Sequence, residues 1–283
     1  MFFILKNFMK KNNAFSLIEL SIVILIIGIL VAGVTQSSRL IKEFKNQTLR
    51  QLVNNSPVNS INDLVLWLET TQAESLVEAE AQDGATVNQW FDINKFTTSK
   101  SIAISYNTKP TYRASGINNL PAIYFGGGGW FEVGFSATRN NTKTIFMVLM
   151  TQNNNQRNYL FDNTTCSQFC FIVESSSSST GHMHAGASNS QGNFQIKKPY
   201  IVTLIYNGAN SFFRNNGVQN TAGNAGSNPF PNSLRIGNSC QPFAYNEGFI
   251  GHIGEIIIFD RVLKADEYLD IEKYLSTKWG IKI

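Results

Sequence analysis

The stretch Phe15–Val34, FSLIELSIVILIIGILVAGV, constrains this chain most, because its single charge is Glu19. At 1.5 Å rise per residue, a helix of that length spans about 30 Å, the hydrocarbon thickness of a bilayer. Lys6, Lys10 and Lys11 precede it and Arg39 is the first positive charge after it. The positive-inside rule therefore puts the short N-terminus in the cytoplasm and the bulk of the chain outside. A removable secretory signal has an apolar stretch of about 7–15 residues followed by a small-x-small site; here the stretch is longer and the site near Ala32 is poor. A plain signal anchor fits the length and the basic flank. It gives no reason for a carboxylate in the stretch, where a charge at mid-helix costs about 2.5–3.5 kcal/mol.

The helical pattern continues past the apolar stretch. Leu40, Ile41, Phe44, Thr48, Leu49, Leu52 and Val53 recur at three- and four-residue spacing, with Lys42, Glu43, Lys45, Asn46 and Arg50 on the other faces, as an amphipathic helix requires. A helix from Phe15 to Val53 would be about 60 Å long, its outer half a stalk. Asn54-Asn55-Ser56-Pro57 ends it, since Pro disfavours helix in the residue before it, and residues 54–60 read as a linker.

The segment KKNNAFSLIELSIVILIIGILVAG resembles the leader and first helix of type IV prepilins and pseudopilins. The resemblance implies that residues 1–14 are a leader removed by a prepilin peptidase between Ala14 and Phe15, that Phe15 is then N-methylated, and that Glu19 serves filament assembly. The family usually has Gly before the cut; Ala14, the next smallest residue, stands there. Cleavage would leave the Phe15 amine about 6 Å along the helix axis from Glu19. A staggered neighbour could then bring its amine to this carboxylate. Two such charges 4 Å apart attract by about 4 kcal/mol at an effective dielectric of 20, which desolvation offsets, so the pair sets register more than stability. The implied partners are the peptidase, other pilin or pseudopilin subunits and inner-membrane lipid.

From residue 61 to 283 the pattern changes to short apolar runs between turn residues: Leu64–Leu68, Ile102–Ser105, Ala122–Phe125, Thr144–Met150, Phe169–Val173, Tyr200–Tyr206, Ser211–Arg214, Leu234–Ile236 and Ile253–Phe259. These runs are rich in β-branched and aromatic residues, as strands are. Asn207-Gly208 and Asn216-Gly217 flank Ser211–Arg214 and predict a meander from Tyr200 to Val218. Many strands without interleaved helices predict a sandwich or barrel. One later helix is expected, with Asp266 and Glu267 in its first turn, Lys264, Tyr268, Ile271 and Leu275 on one face and Gly280 as its stop.

The runs LVLWLE, WFD, KPTY, NNLPAIYFGG, TIFMVL and the ending IGEIIIFDRVLKADEYLDIEKYLSTKWGI are similar to bacterial laminin-G-like, concanavalin A-like domains. That resemblance implies a mainly β fold, an antiparallel jelly-roll sandwich closed by a short C-terminal helix. It also implies a surface glycan or protein ligand. Calcium is common in that family, but no clustered Asp or Asn ligands mark a site here, so no cofactor and no metal residue is assigned. A Ser or Thr commonly caps the family's helix where Lys264 stands, which weakens the cap by about 1 kcal/mol.

Charged residues make up 15% of the chain and the formal net charge is +4. Apart from the leader and Lys197-Lys198, the cations are scattered singly, which excludes a nucleic-acid stripe. Cys166 and Cys170 can close a tight loop, or either can pair with Cys240; all three can also stay unpaired. Glycosidases of this architecture place two carboxylates about 5–9 Å apart. Glu255 and Asp260 are spaced by five, which puts them on opposite strand faces, and no catalytic residue is assigned. His182 and His184 share a face if their segment is a strand, but two ligands do not make a metal site. For glycan stacking the candidates are Trp130, Tyr159, Phe243 and Tyr245, each of which could equally be ordinary packing.

Overall fold

The computed structural model describes residues 17–97, 101–135, 140–152, 157–166, 169–174, 180–241 and 247–283, with only the backbone given at helix positions 35, 36, 38, 39, 42, 43 and 46. The chain forms two compact units, Met1–Thr48 and Leu49–Ile283. Helix α1 covers Leu17–Asn54. In the first unit, Leu17–Val34 has a mean hydropathy of 2.9 and none of it is buried. Ser21 and Ser37 turn their hydroxyls back onto the carbonyls of Ile18 and Gly33, each at 2.8 Å, so these polar side chains are satisfied within the helix.

In the second unit the strands are β1 Leu64–Glu69, β2 Gln89–Phe91, β3 Ile102–Asn107, β4 Thr111–Ile117, β5 Leu120–Gly126, β6 Gly129–Gly134, β7 Lys143–Thr151, β8 Arg157–Asn163, β9 Cys170–Glu174, β10 Gly181–His184, β11 Ser188–Gln191, β12 Pro199–Tyr206, β13 Phe212–Asn215, β14 Val218–Gln219, β15 Ser233–Ile236 and β16 Ile250–Phe259, followed by helix α2, Ala265–Trp279. They form two antiparallel sheets, a jelly-roll sandwich. The first has the order β14-β13-β12-β7-β16-β5-β4, with β1 also paired to β16; the second has the order β11-β10-β9-β8-β15-β6-β3-β2. The expected meander is present as β12, β13 and β14. Its second turn is the two-residue Asn216-Gly217, where φ is 48° and 77°, the left-handed pair that a tight hairpin requires.

The first sheet is buried on both faces, which is why its strands read as unbroken apolar runs. Ile145, Met147 and Leu149 of β7 point into the sandwich with Val202, Leu204 and Tyr206 of β12. Phe146, Val148 and Ile201 point the other way, into a second core with Ile271, Tyr274, Leu275 and Trp279 of α2 and with Leu49 and Val53 from the last turns of α1. In the segment expected as a linker, Ser56 is 5% exposed and Val58 is fully buried in this second core.

A bulge in β16 between Ile253 and Glu255 makes the two-sided packing possible. It shifts the inward positions from Ile253 to Ile256 and Ile258, and it leaves β5 and β1 end to end along one edge of β16. At the bulge, a Cβ on Gly254 would lie 2.2 Å from the Trp279 ring. Only glycine lets the indole close over the sheet.

Helix α2 starts at Lys264 and is followed by Gly280, with φ 61°. The missing Ser or Thr cap is replaced from the other end. The Lys264 N–H donates to Glu267 Oε2 at 2.8 Å, and Arg261 grips the same carboxylate at 2.7 Å through both terminal nitrogens. The Arg261 hydrogen bonds lead, and with the Lys264 N–H they outweigh the opposing effect of burial and hold the Glu267 carboxyl down at about 2. Ile271 and Leu275 are buried and Tyr268 packs beside them, as expected, whereas Lys264 is exposed at the helix start.

Candidate functional site

Two regions stand out: the N-terminal helix and the open face of the second sheet. Glu19 lies in the first turn of α1. Ala14 and Phe15, the expected cleavage and methylation positions, lie outside the described residues, as do Phe243 and Tyr245.

The open sheet face is built by strand alternation. Phe171 and Val173 of β9 fill the sandwich, which turns Cys170, Ile172 and Glu174 outward. Met183 of β10 points inward, so His182 and His184 share the outer face. On β8 a register shift between Tyr159 and Phe161 lets Leu160 and Phe161 both enter the core. Tyr159 and Asp162 then face outward together, although a spacing of three would separate them on a regular strand.

These side chains line a groove of about 480 Å³ with Arg157, Cys166, Ser188 and Cys240. A second hollow of about 610 Å³ shares Arg157, Tyr159, Asp162 and Cys240 and extends to Ser239, Gln241 and Glu247. Cys166 and Cys240 form a disulfide with their Cα atoms 5.2 Å apart, while Cys170 is a buried free thiol. Burial pushes the Cys170 thiol up, and Asp162 and Glu247 add to it. The bridge fixes the 239–240 loop against the groove floor. There the Cys240 N–H donates to Asp162 Oδ2 at 2.8 Å, and Arg235 donates to the carbonyls of Ser239 and Cys240 at 2.8 and 2.9 Å.

Glu174 sits between two partners, Arg157 Nε at 2.6 Å and His182 Nε2 at 3.2 Å. His182 Nδ1 is 2.5 Å from Ser190 Oγ. Burial lowers the His182 pKa more than Glu174 raises it, so the ring is neutral at neutral pH. The Gly186 N–H donates to His184 Nδ1 at 3.2 Å. Burial raises Asp162 to about 6 against the opposing backbone hydrogen bonds from Cys240 and Asn163. Burial also raises Tyr159, with Cys170, Glu247 and Asp162 contributing.

The groove is not arranged for paired-carboxylate hydrolysis by Asp162 and Glu174. Arg157 pairs with Glu174 and Phe161 with Phe171, which puts Asp162 level with Cys170. Four residues of strand then separate it from Glu174, about 13 Å, beyond the 5–9 Å such a pair uses. Among the described residues, no group of three or more His, Cys, Asp or Glu is placed to hold a metal ion. Glu255 and Asp260 are also apart: Glu255 is 1% exposed beneath α2, and Asp260 pairs with Lys143 at 2.6 Å beyond the strand end.

Trp130 occupies the other half of the same sheet face and is 5% exposed. Its ring stacks on Tyr106 at 6.1 Å and carries the Arg235 guanidinium at 4.9 Å, and its Nε1–H donates to Glu132 at 3.1 Å. The indole is committed to this cluster, whereas Tyr159 is only partly buried and lines the groove. Sequence alone did not single out Arg157, Asp162, Glu174, Ser188 or Glu247. Alternation in CFIVE was the available signal for Glu174, while the β8 bulge concealed Asp162.

Against known proteins, the N-terminal region gives a direct match to the family model described as the prokaryotic N-terminal methylation motif. Residues 9–35 are a prepilin methylation motif. This motif implies processing by a prepilin peptidase and assembly with other pilins in a pilus or pseudopilus, and its apolar helix suits membrane anchoring. No curated protein matches the chain.

Behind the prepilin motif, the sandwich has relatives among solved structures at fold level. Domain 4 of AbnA, an extracellular arabinanase from Geobacillus stearothermophilus solved with arabinotriose, aligns with a TM-score of 0.50 at 11% identity, over 74% of this chain and 98% of that one. The binding domain of botulinum neurotoxin serotype D aligns with a TM-score of 0.55 at 11% identity, over 81% of this chain and 56% of that one. Trypanosoma rangeli sialidase aligns with a TM-score of 0.50 at 14% identity, over 77% of this chain but 33% of its own. At these identities the likeness is one of fold, a lectin-like β-sandwich.

Proposed function

We propose that this protein is a minor pilin or pseudopilin-like subunit of a type IV pilus or type II secretion filament. Its N-terminal helix holds it in the inner membrane before assembly, and its sandwich is displayed outside the cytoplasm for adhesion. The observation that carries the reading is the methylation motif over residues 9–35, with Glu19 the single charge in the apolar stretch that opens the first helix. A globular unit running from Leu49 to Ile283 would crowd a thin filament if every subunit bore one, which favours a rare or tip position.

Mass spectrometry of the mature N-terminus tests the reading. Expression beside a prepilin peptidase should give a chain beginning at N-methylated Phe15. An intact Met1, or a start near Val34, would refute it. Glu19→Ala should still be cleaved but should enter filaments poorly; normal incorporation would remove the register role of Glu19.

The adhesive part of the proposal rests on the open face of the second sheet. Its outer side chains form a groove with an aromatic wall, whereas the outer face of the first sheet is sealed by α2. Carbohydrate-related proteins share this sandwich, among them an arabinanase domain solved with arabinotriose, and this supports a sugar as the ligand.

A further inference from the structure

Glu174, His182 and Ser190 stand in a row on three neighbouring strands of the open sheet, β9, β10 and β11. Strand alternation turns all three outward, since Val173, Met183 and Asn189 beside them are buried. Ser190 is the cross-strand partner of His182. Glu174 is the diagonal neighbour of His182, two positions along from its partner Ile172, a separation that long side chains bridge. The Ser190 hydroxyl oxygen lies 2.5 Å from His182 Nδ1, and Glu174 Oε2 lies 3.2 Å from His182 Nε2. Arg157 Nε holds the other Glu174 oxygen at 2.6 Å. A hydroxyl within hydrogen-bond reach of an imidazole, which a carboxylate orients from the far edge of the ring, is the arrangement that activates a serine towards a carbonyl carbon.

The surroundings suit that chemistry. Burial lowers the His182 pKa more than Glu174 raises it, and Arg157 adds to the fall, so the neutral ring is free to take a proton. Nε2 has no hydrogen-bond partner among the described residues. A proton there faces the Glu174 carboxylate, which attracts it, and leaves the Nδ1 lone pair to accept from the Ser190 hydroxyl. Ser190 is exposed, so a substrate can reach it. Ser188 Oγ is 3.2 Å from Ser190 Oγ. With the Ser190 proton directed at His182, the hydrogen in this contact is that of Ser188, a second O–H that needs only to turn onto the oxygen of a bound carbonyl. His182 and Ser188 also line the groove of about 480 Å³, within the ordinary range for small-ligand sites, roughly 300–1,000 Å³. The rest of a substrate can lie there.

We propose that Ser190, His182 and Glu174 form an esterase site at the rim of the groove, with Ser190 as nucleophile, His182 as general base and Glu174 as the positioning residue. Ser190 Oγ bonds to the carbonyl carbon of a carboxylic ester as its proton passes to His182 Nδ1. The tetrahedral adduct then breaks its C–O bond to the alcohol, which leaves with that proton, and the acyl group stays on Ser190. A water molecule next gives a proton to Nδ1 and attacks the acyl carbon. The bond to Oγ breaks, the proton returns to Ser190, and the carboxylic acid is released. A hydroxyl is a modest donor to the developing oxyanion, which favours esters, with their better leaving group, over amides. This activity goes beyond the filament reading and does not depend on it.

The test is labelling of the full chain in detergent micelles with a fluorophosphonate, which phosphonylates an activated serine and releases fluoride, followed by peptide mapping. At neutral pH the label should fall on Ser190, and this map needs no variant to fold. Ser190→Ala should abolish that label and the protein's hydrolysis of 4-nitrophenyl acetate. His182→Ala should slow labelling about 100-fold or more, as loss of a general base does. Glu174→Gln should slow it about tenfold or more. The charged groups facing the His182 ring are Glu174 from β9 and Arg157 from β8, while β11 brings only the Ser190 hydroxyl. Removing the carboxylate therefore leaves the imidazole less basic, and the acid limb of the labelling rate should move to lower pH, which a merely structural role of Glu174 would not cause. Absence of label on Ser190, label there undiminished by His182→Ala, or an acid limb unmoved by Glu174→Gln would each overturn the proposal.

Discussion

Replacing Lys278 by Met removes the cation that joins two buried carboxylates. Lys278 Nζ donates to Glu69 Oε2 and Glu255 Oε2, both at 2.8 Å, and all three side chains are at most 1% exposed. Glu255 also accepts from the Trp67, Trp279 and Tyr274 side chains at 2.8–2.9 Å, while Glu69 accepts from Ser75 and from the Thr71 and Gln72 backbone. Burial alone would push the Glu69 carboxyl up, but Lys278 and the hydroxyl donors overcome it and its pKa falls below the ordinary value. Burial would likewise push Lys278 down, and Glu255 and Glu69 reverse this.

In the wild type, the Glu69 contribution is therefore present above its unfolded pKa and lost as pH falls through the folded one. The Lys278 contribution is present below its unfolded pKa and lost as pH rises through the folded one. Between pH 5 and 8 the network is fully in place. Breaking one partner of a buried pair costs about 3–5 kcal/mol. At about 2–4 °C per kcal/mol for a domain of this size, Lys278→Met should lower the melting temperature by about 6–20 °C at pH 8. The stranded carboxylates should then take up protons, so the deficit should shrink on acidification to pH 5. Thermal melts of the full chain in detergent, followed by circular dichroism at both pH values, provide the measurement. A loss below about 1 kcal/mol, or one identical at pH 5 and 8, would refute the reasoning. Removing the anion as well, as Glu69→Gln with Lys278→Met, should recover part of the loss.

Gly254→Ala should destabilise the same region by about 1–3 kcal/mol, because its Cβ would meet the Trp279 ring at 2.2 Å; the indole fluorescence of the native state should shift with it, and an unchanged melt would refute the contact. Breaking the Cys166–Cys240 bridge, whose sequence separation is 74, should cost about 4 kcal/mol by loop-closure entropy, read as a lower denaturant midpoint for Cys240→Ser. Burial, with a smaller contribution from Arg113, lowers His252 from 6.5 to about 4. The neutral ring is thus the one the fold accepts, and its stabilising effect is complete above pH 6.5 and declines towards pH 4. A His252→Gln variant should lose that acid dependence in equilibrium unfolding; an unaltered pH profile would count against it.

The prepilin segment was legible in sequence because its determinants are local. Bilayer thickness fixes how long an apolar helix must be, and Glu19 is anomalous wherever the rest of the chain goes. The sandwich was legible for a similar reason. The runs from Leu64–Leu68 to Ile253–Phe259 carry their own strand pattern, and the Asn216-Gly217 turn carries its own backbone demand. Strands β2, β4, β6, β8, β10 and β11 lay outside the expected runs because they are brief, polar on one face or interrupted by glycine, and their place in the sheets is set by pairing with their neighbours.

Tertiary structure alone decided which side chains meet. Glu69, Glu255 and Lys278 are separated by up to 209 positions and signal nothing individually, yet α2 lays the lysine over both carboxylates. The disulfide choice among Cys166, Cys170 and Cys240 likewise waited on the approach of the 239–240 loop to β8. The groove needed the bulge between Tyr159 and Phe161, which reverses the strand parity that a sequence reader must assume. Periodicity and local turn chemistry are written along the chain, whereas a site assembled across strands depends on register, and register is set only when the whole sheet closes.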